Sequence, residues 1–220
     1  MDMSNDSIFS GYRGAEREYH FIDDDAPPGG SLVQIAAEIR ACTNCPLCKT
    51  RTNTVPGEGV LQPLVMVIGE GPGADEDAQG RPFVGKAGQL LDKMLGSIGL
   101  SRNTNCYIAN VVKCRPPNNR DPFPEETAAC AGFLERQINL LKPKFILAVG
   151  GTAAKNLLKR EEGIGKLRGK FTDFSTESGT IPLLASYHPS AILHNEEYKR
   201  PAWEDLKLLR SRIESSGGGS

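Results

Sequence analysis

Four short runs of almost uninterrupted apolar residues recur along the chain, and segments with helical spacing separate them. A strand that is covered on both faces has no solvent side, so it lacks the alternation of polar and apolar residues seen in a half-exposed strand. The runs therefore predict the buried strands of a mostly parallel sheet. They are residues 64–69 (LVMVIG), 107–112 (YIANVV), 145–150 (FILAVG) and 181–186 (IPLLAS).

The intervening segments carry the start and stop signals of helices. Ser31 is a suitable N-cap, Gly99 is a suitable stop, and Pro124 is a first-turn residue followed by two acids. Helices between parallel strands cover both faces of the sheet. The predicted fold class is α/β: a three-layer α/β/α sandwich with a mostly parallel central four-stranded sheet. The predicted helices are residues 31–41, 87–98, 124–141, 152–159 and 201–213.

The two ends of the chain differ in composition from its middle. Residues 1–30 are polar and end in DDDAPPGG, and residues 215–220 contain only serine and glycine. Such segments bury little apolar surface, so we expect a disordered N-terminal tail and a C-terminal flexible tail or cloning remnant. The folded domain is predicted over residues 31–214. With 220 residues, 39% of them hydrophobic, the chain supports one sizeable core.

Charge and hydropathy narrow the class of protein. The formal net charge is −1, so any contact with nucleic acid depends on local positive charge. No stretch approaches 18 apolar residues, and the N-terminus lacks the apolar core of a signal peptide. We therefore expect no membrane span and a cytosolic protein. Six cysteines in that compartment indicate metal or redox chemistry rather than disulfides.

Five of the cysteines are candidate metal ligands. Cys42, Cys45 and Cys48 form a C-x-x-C-x-x-C run, and Cys114 and Cys130 lie further along the chain. Two intervening residues allow two thiolates to turn toward one metal, and four thiolates suit either zinc or a [4Fe–4S] cluster. Spacing alone leaves open both the fourth ligand and the choice between zinc and iron.

A glycine-rich segment follows the first predicted strand. Residues 69–88 read GEGPGADEDAQGRPFVGKAG, without the pattern of a P-loop. Glycine lets the main chain approach a ligand closely, and exposed N–H groups can bind the carbonyl groups of a heterocycle. Glu70 is the strongest functional candidate among its four acids, whereas Asp75 and Asp77 suit a solvated loop or a helix cap. Phe83 suits either the core or a platform for a stacked base.

Three ordered motifs resemble the family 4 uracil-DNA glycosylases, the iron–sulfur type of bacteria and archaea. They are GEGPGADEDAQGRPFVGKAGQLLDKML, YIANVVKCRPPNNRDP and YHPSAIL, and the resemblance covers roughly residues 40–210. It implies a monofunctional DNA N-glycosylase that flips uracil out of single- or double-stranded DNA. Hydrolysis of the N-glycosidic bond then leaves an abasic site, which initiates base excision repair. It also implies the cytosol of a bacterium or archaeon, and a monomer is the default expectation for the oligomeric state.

The resemblance implies a [4Fe–4S] cluster as cofactor. The cluster would tie the N-terminal segment to the loop after the second predicted strand. Cys48 and Cys106 are then extra thiols, and the strand-like surroundings of Cys106 are typical of a buried cysteine. The implied ligands are Cys42, Cys45, Cys114 and Cys130.

The resemblance also implies a uracil pocket. Asn110 carries a donor and an acceptor, which match the O4 and N3–H edge of uracil and reject the reversed pattern of cytosine. Phe83 would stack on the ring, and His188 would donate to uracil O2 as negative charge grows on the departing base. The implied substrate-binding residues are Glu70, Gly71, Pro72, Glu76, Phe83, Asn110 and His188.

This chain departs from better-known relatives at the group that activates water. The family 1 enzymes place an aspartate where this chain has Gly71, so that carboxylate is absent here. Glu70, Glu76 and Asn119 remain as candidates for stabilising the cationic sugar or orienting water, and their order stays open. The catalytic set that we predict is Glu70, His188 and Asn119.

Local basic residues beside these motifs are candidate DNA contacts. Lys113, Arg115 and Arg120 cluster in KCRPPNNR, and Lys86 follows the first motif. Ser190 is a candidate phosphate contact through its hydroxyl and main chain. The predicted DNA-binding residues are Lys86, Arg115, Arg120 and Ser190.

Two other functions compete with this prediction. Some related proteins capture uracil-DNA covalently through a histidine on an inserted basic loop, but residues 113–126 (KCRPPNNRDPFPEE) contain neither a histidine nor such an insertion. A non-enzymatic iron–sulfur or zinc module would keep the cluster and the basic residues. It would not need Asn110, Phe83 and His188 to converge on one pocket, so their convergence discriminates between the two classes.

Overall fold

The computed structural model describes residues 31–217, and a six-stranded sheet lies at its centre. The spatial order is β1-β3-β2-β4-β6-β5, and the four middle strands are mutually parallel. These four are the strands predicted from the apolar runs, so the α/β class with a parallel four-stranded centre is confirmed. The strands are β1 Glu58–Gly59, β2 Val65–Gly69, β3 Cys106–Asn110, β4 Phe145–Val149, β5 Phe171–Thr176 and β6 Gly179–Ser186.

The two edge strands were not predicted, so the sheet has six strands rather than four. Strand β1 pairs with β3 and β5 pairs with β6, both antiparallel. Strand β5 (FTDFST) is partly exposed and has polar residues between its two phenylalanines, and β1 has only two residues. Neither segment therefore contains an apolar run that marks a strand.

All five predicted helices are present, and three short ones were not predicted: α2, α6 and α7. Ser31 caps the first helix as expected, because its hydroxyl accepts a hydrogen bond from the Gln34 N–H at 3.1 Å. The helices are α1 Leu32–Ala41, α2 Ala74–Gln79, α3 Lys86–Gly96, α4 Pro124–Leu141, α5 Gly151–Leu158, α6 Ile164–Leu167, α7 Pro189–His194 and α8 Lys199–Ser215.

Each central strand contributes side chains to two separate cores, one on each face of the sheet. Met66 and Ile68 of β2 pack with α4 and α5 on one face. Val65 and Val67 of the same strand pack with α3 and α8 on the other. Both faces of the parallel strands are therefore dry, which is the physical reason for their uninterrupted apolar sequence. The result is the predicted three-layer sandwich.

Some predictions concern the ends of the chain and its relation to membranes. The tail predicted over residues 1–30 lies outside the described residues, as do residues 218–220. Ser215 is the last residue of α8. Among the helices formed by residues 31–217, none has both the length and the apolar composition that a membrane crossing requires.

The carboxyl ends of the four parallel strands lie at one edge of the sheet. Gly69 at the end of β2 is in register with Asn110 at the end of β3, and Val149 is in register with Ser186. The segments that leave these strands therefore start side by side, which is where parallel α/β sheets bind ligands.

Candidate active site

A cavity of about 480 Å³ opens at this edge of the sheet. Arg115 is the only predicted substrate, catalytic or DNA residue that does not line it. A wider cavity of about 710 Å³ lies between α4, α5 and β5 and contains none of those residues. The predicted residues that line the smaller cavity are Glu70, Gly71, Pro72, Glu76, Phe83, Lys86, Asn110, Asn119, Arg120, His188 and Ser190.

The amide of Asn110 forms the floor of this cavity. The residue is 1% exposed, and its Oδ1 has no hydrogen-bond partner among residues 31–217. The neighbouring Gly69 leaves room for it, because a Cβ at position 69 would lie 2.6 Å from Oδ1 and 2.5 Å from the Phe83 ring. A buried amide oxygen without a donor is costly, so the arrangement fits a ligand that supplies an N–H.

The ring of Phe83 forms a wall of the cavity and is also part of the core. It is 6% exposed, and its centroid lies 5.5 Å from that of His188. Main-chain contacts hold the residue in a left-handed conformation with φ of 52°. Its carbonyl accepts a hydrogen bond from Arg102 Nη2 at 2.8 Å, and Gly88 lets α3 approach that carbonyl closely. Phe83 is therefore part of the core and also lines the cavity, and its stacking on a base stays a prediction.

His188 is the N-cap of α7 and lines the cavity. The main-chain N–H of Ser190 donates to His188 Nδ1 at 3.2 Å, and the Ser190 hydroxyl lies 2.7 Å from the same atom. Because Nδ1 accepts, the proton of the neutral ring resides on Nε2, which leaves one N–H donor for a ligand. The structure thus gives Ser190 a partner on the imidazole, and its contact with a phosphate stays a prediction.

Burial keeps this imidazole neutral. Burial lowers the pKa of His188 from 6.5 to about 4, against a smaller opposing effect of the Glu76 carboxylate. Between these two values the unfolded chain binds a proton on His188 and the folded chain does not. Folding stability therefore falls as the pH drops from about 7 toward 4.

We expect His188 to remove about 2 kcal/mol of folding stability between about pH 7.5 and pH 5. Urea unfolding of wild type, His188→Gln and His194→Gln at both pH values measures this contribution. His194 is exposed at the end of α7 and serves as the control. A pH dependence as large in His188→Gln as in wild type would contradict the assignment.

Glu70 and Glu76, two of the carboxylates that line the cavity, have different surroundings. Burial raises the pKa of Glu70, and the nearby Asp121 adds to the rise, while a hydrogen bond from the Thr152 hydroxyl opposes it. Glu76 instead accepts main-chain N–H groups of Gly73, Val84 and Gly85, at 3.1, 2.8 and 2.9 Å. Glu76 therefore braces the glycine-rich segment, and Glu70 is the freer of the two carboxylates.

Two other candidates from the sequence are structural. Asp77 is buried rather than solvated, and its carboxylate accepts the main-chain N–H groups of Thr52 and Asn53. Lys113 belongs to the basic cluster KCRPPNNR but not to the predicted DNA-binding set, and it is 1% exposed. Burial lowers the pKa of Lys113 to about 8, with a smaller opposing effect of Cys130.

The basic residues predicted to contact DNA differ in whether a carboxylate neutralises their charge. Lys86 is exposed at the start of α3. The Arg120 guanidinium binds both oxygens of the buried Glu126 at 2.7 and 2.8 Å, so its charge is largely compensated. Arg115 donates through Nε to Asn119 Oδ1 at 2.8 Å. Asn119 is therefore held by an arginine at the rim of the cavity.

The four cysteines predicted as cluster ligands approach one another from separate segments. Cys42 ends α1, Cys45 precedes a short 3-10 helix, Cys114 follows β3, and Cys130 lies in α4. Cys114 lies close enough to Cys45 and Cys42 to interact electrostatically, and Cys130 does so with Cys114 and Cys45. Sequence separation of up to 88 positions, from 42 to 130, is closed by the fold.

Donors surround these sulfur atoms. Arg51 Nη1 donates to Cys114 Sγ at 3.1 Å, and the Lys113 main-chain N–H donates to the Cys130 sulfur. Burial raises the pKa of Cys130 to about 11. In the described part of the chain, no three His, Cys, Asp or Glu side chains are arranged to hold a single metal ion. A set of four thiols with hydrogen-bond donors fits a four-iron cluster, which takes four thiolates.

The two other cysteines differ in position. Cys48 lies in the 3-10 helix and interacts electrostatically with Cys45. Cys106 is fully buried in β3, where burial raises the pKa of its thiol to about 12. Cys106 is thus the buried, inert thiol that its strand context predicted.

The structure adds cavity residues that sequence reasoning missed. Asp121, Gly150 and Gly151 line the cavity, and Thr152 binds Glu70. Gly150 has a φ of 100°, and a Cβ at this position would lie 3.1 Å from the Cβ of His188. The two glycines could have been found from the sequence, because they directly follow the apolar run of β4.

Comparison with known proteins agrees with this fold. A model of the uracil DNA glycosylase superfamily matches residues 56–207, and the chain belongs to this superfamily. The motif resemblance to family 4 is likewise confirmed by several curated relatives that are called type-4 uracil-DNA glycosylases. That of Thermotoga maritima is 45% identical over 84% of this chain and 97% of its own. Those of Saccharolobus solfataricus and Pyrobaculum aerophilum are 43% and 45% identical, over 84% and 81% of this chain and 88% and 92% of theirs.

Proposed function

We propose that this chain is a monofunctional uracil-DNA glycosylase that hydrolyses the bond between uracil and deoxyribose and leaves an abasic site. The observation that carries the proposal is the partnerless amide oxygen of Asn110, buried in a cavity beside Phe83 and His188. A cluster-bearing binding module would not need this convergence. The type-4 relatives support the same activity.

Uracil fits the donors and acceptors of the cavity. Its N3–H supplies the donor that Asn110 Oδ1 lacks, and its O4 accepts from the Asn110 Nδ2. Cytosine presents an unprotonated N3 and an amino group at these positions, so it leaves the buried amide mismatched. The ring of Phe83 provides the stacking face that a flipped base loses when it leaves the DNA stack.

His188 acts on the leaving group. As the C1′–N1 bond breaks, the electron pair stays with uracil, and negative charge develops on O2. A neutral imidazole stabilises this charge by donating a hydrogen bond from its Nε2–H to O2. The hydrogen bond from Ser190 to Nδ1 makes that tautomer the resident one.

Glu70 acts on the sugar. A carboxylate beside C1′ stabilises the cationic sugar and orients the water that adds to C1′. Glu76 is occupied by three main-chain N–H groups, so we assign it the positioning of the Phe83 segment. Asn119 contributes an amide at the rim, where Arg115 fixes it.

We assign the DNA contacts to basic residues whose charge no carboxylate neutralises. Lys86 and Arg115 are the basic groups beside the cavity that carry no carboxylate partner in the hydrogen bonds of the described residues, and they would bind phosphates on either side of the flipped nucleotide. Arg120 serves chiefly to hold the rim through Glu126. As an initiator of base excision repair, this protein would act on the chromosome, in the cytosol of a bacterium or archaeon.

Cys42, Cys45, Cys114 and Cys130 would hold a [4Fe–4S] cluster. When bound, the cluster supplies a covalent tie between α1, the loop after β3 and α4. That tie fixes the loop from Cys114 to Arg120, whose C-terminal part forms the rim of the cavity.

We expect Cys114→Ser to lower both the iron content per chain and the melting temperature, because it removes one of four ligands. Cys106→Ser is the matched control, since Cys106 is buried elsewhere in the sheet. Iron and acid-labile sulfide assays on protein purified without oxygen measure the difference. Equal iron content in the two variants would refute this ligand set.

A labelled oligonucleotide with a single uracil tests the activity. Incubation followed by hot alkali should cut the strand at the uracil, and a thymine oligonucleotide should stay intact. Cutting without alkali would indicate a lyase instead. A protein-linked band would favour covalent capture, and an intact uracil strand would contradict the proposed function.

Gly69→Ala tests the shape of the pocket floor. The added methyl group would meet both the Phe83 ring and the Asn110 amide below 3 Å, so one of them must move. A displacement near 1 Å in such a site costs about 100-fold in kcat/KM. Gly132→Ala on α4, where nothing lies within 4 Å of the new methyl group, should leave kcat/KM unchanged. Wild-type kcat/KM for Gly69→Ala would contradict this floor.

A further inference from the structure

Lys113 is the largest fully buried side chain of the described residues, and the mechanism above does not use it. Its Nζ donates to the main-chain oxygen of Asn110 at 2.8 Å and to Gln137 Oε1 at 2.7 Å. Both acceptors are neutral. Placing an ammonium group in the interior is costly, and the packing around it must hold it in one arrangement.

Gln137 anchors this contact to the rest of the fold. It lies in α4, is 1% exposed, and donates through Nε2 to the Pro56 carbonyl at 2.8 Å. The Lys113 carbonyl accepts from the Val55 N–H at 2.8 Å. The segment after β3 is therefore fixed at both its main chain and its side chain, by α4 and by residues 55–56.

The side chain of Lys113 folds back over three residues to reach Asn110, the last residue of β3. Past this point the main chain is still held on its β2 side, because the Val111 and Val112 N–H groups donate to the Gly69 and Glu70 carbonyls at 2.9 and 3.1 Å. The Lys113 ammonium group adds a second hold, on the Asn110 carbonyl. The contact closes a small loop whose start carries the amide that faces the cavity. Recognition of a base requires that amide to be held within about 0.5 Å.

We propose that Lys113 is a positioning residue for base recognition: its buried ammonium group fixes the main chain of Asn110 and thereby the direction of the amide in the cavity. This inference rests on the proposed function. It assigns Lys113 to substrate discrimination and not to the DNA surface.

Lys113 also lies beside the four predicted cluster ligands. Its side chain and its main chain have different partners, so base recognition and cluster binding can be tested separately. Its main-chain N–H donates to the Cys130 sulfur, and Cys114 is the next residue. A change of the side chain alone leaves that N–H in place. Variants at position 113 should therefore lose base recognition while they keep their iron.

Lys113→Met is the first test, because methionine fills similar space without a charge or a donor. We expect kcat/KM on uracil-DNA to fall about 100-fold. Iron content and the affinity for thymine-containing DNA should match wild type. Lys93→Met, at an exposed position of α3, is the matched control and should keep wild-type kcat/KM.

A double-mutant cycle with Asn110→Ala shows whether Lys113 acts through Asn110. Single-turnover rates of the two single variants and the double variant should be non-additive, with the double variant as slow as Asn110→Ala alone. Full additivity would overturn the proposal, and so would wild-type kcat/KM for Lys113→Met. A merely structural role would lower the iron content and the DNA affinity together with the rate.

Gln137→Met covers the case in which Lys113→Met does not fold. It removes one acceptor of the ammonium group and keeps the contact with Asn110, so we expect a smaller loss of kcat/KM in the same direction. Unchanged kcat/KM in a folded Gln137→Met variant would then overturn the proposal. A wild-type protein that does not release uracil would refute the proposed function instead, which keeps the two failures distinct.

Discussion

Asn110→Asp should reduce uracil release by about 10⁴-fold in kcat/KM, which is the scale on which a site rejects a partner that leaves its buried polar groups unpaired. The carboxylate keeps the size of the amide but loses the donor to uracil O4, and it faces that oxygen with negative charge. The wild-type amide sits at 1% exposure, so water cannot compensate. Single-turnover cleavage of uracil oligonucleotides measures the loss.

Asn139→Asp is the matched control for this variant. Asn139 lies in α4 at the wider cavity, away from the active site, and its replacement should leave kcat/KM unchanged. Binding of thymine-containing DNA should be equal in all three proteins. A fall in general DNA binding that parallels the fall in rate would favour the non-enzymatic binding module.

His188→Ala should lower kcat by 100- to 1,000-fold, about the effect of removing one donor to a developing oxyanion. The KM should change little, because the donor matters most when charge has formed on the base. Ser190→Ala should show a smaller loss, since the main-chain N–H still sets the tautomer when the hydroxyl is gone. His194→Ala is the control and should keep wild-type kcat.

The pH dependence separates this role from that of a cationic histidine. A neutral donor with a pKa of about 4 stays in one form from pH 8 down to about pH 5. The rate of wild type should therefore show no limb from His188 titration in that range. An acidic limb with a midpoint near pH 6.5 that His188→Ala abolishes would contradict the neutral donor.

Much of the fold and most of the cavity could be predicted from the sequence, for a simple physical reason. Parallel strands that are covered on both faces must be apolar throughout, and their carboxyl ends must meet at one edge. Glu70, Asn110 and His188 each lie at or just after the end of such a strand, so linear position was enough to bring them together. Edge strand β5 was not predicted, because one side of it faces solvent and it therefore lacks an uninterrupted apolar run.

The sequence did not indicate the partners of several polar residues, because these partners meet only in the folded chain. Lys113 and Arg120 occur in one basic motif, yet one is buried against Gln137 and the other is bound to Glu126. Nothing in the local pattern distinguishes a solvated lysine from a buried one. Glu76 is similar, because its three main-chain partners exist only once the glycine-rich segment has closed around it.

The cap of α7 links the chemistry of the ring to local folding. When this six-residue helix opens, Nδ1 loses the Ser190 amide and the proton can move between the two nitrogens. The same opening exposes the Ser190 amide to solvent, where its hydrogen exchanges. The exchange rate of one main-chain amide thus reports how often the enzyme leaves its reactive tautomer. Changes far from the cavity that loosen α7 would slow the chemistry without touching a substrate contact.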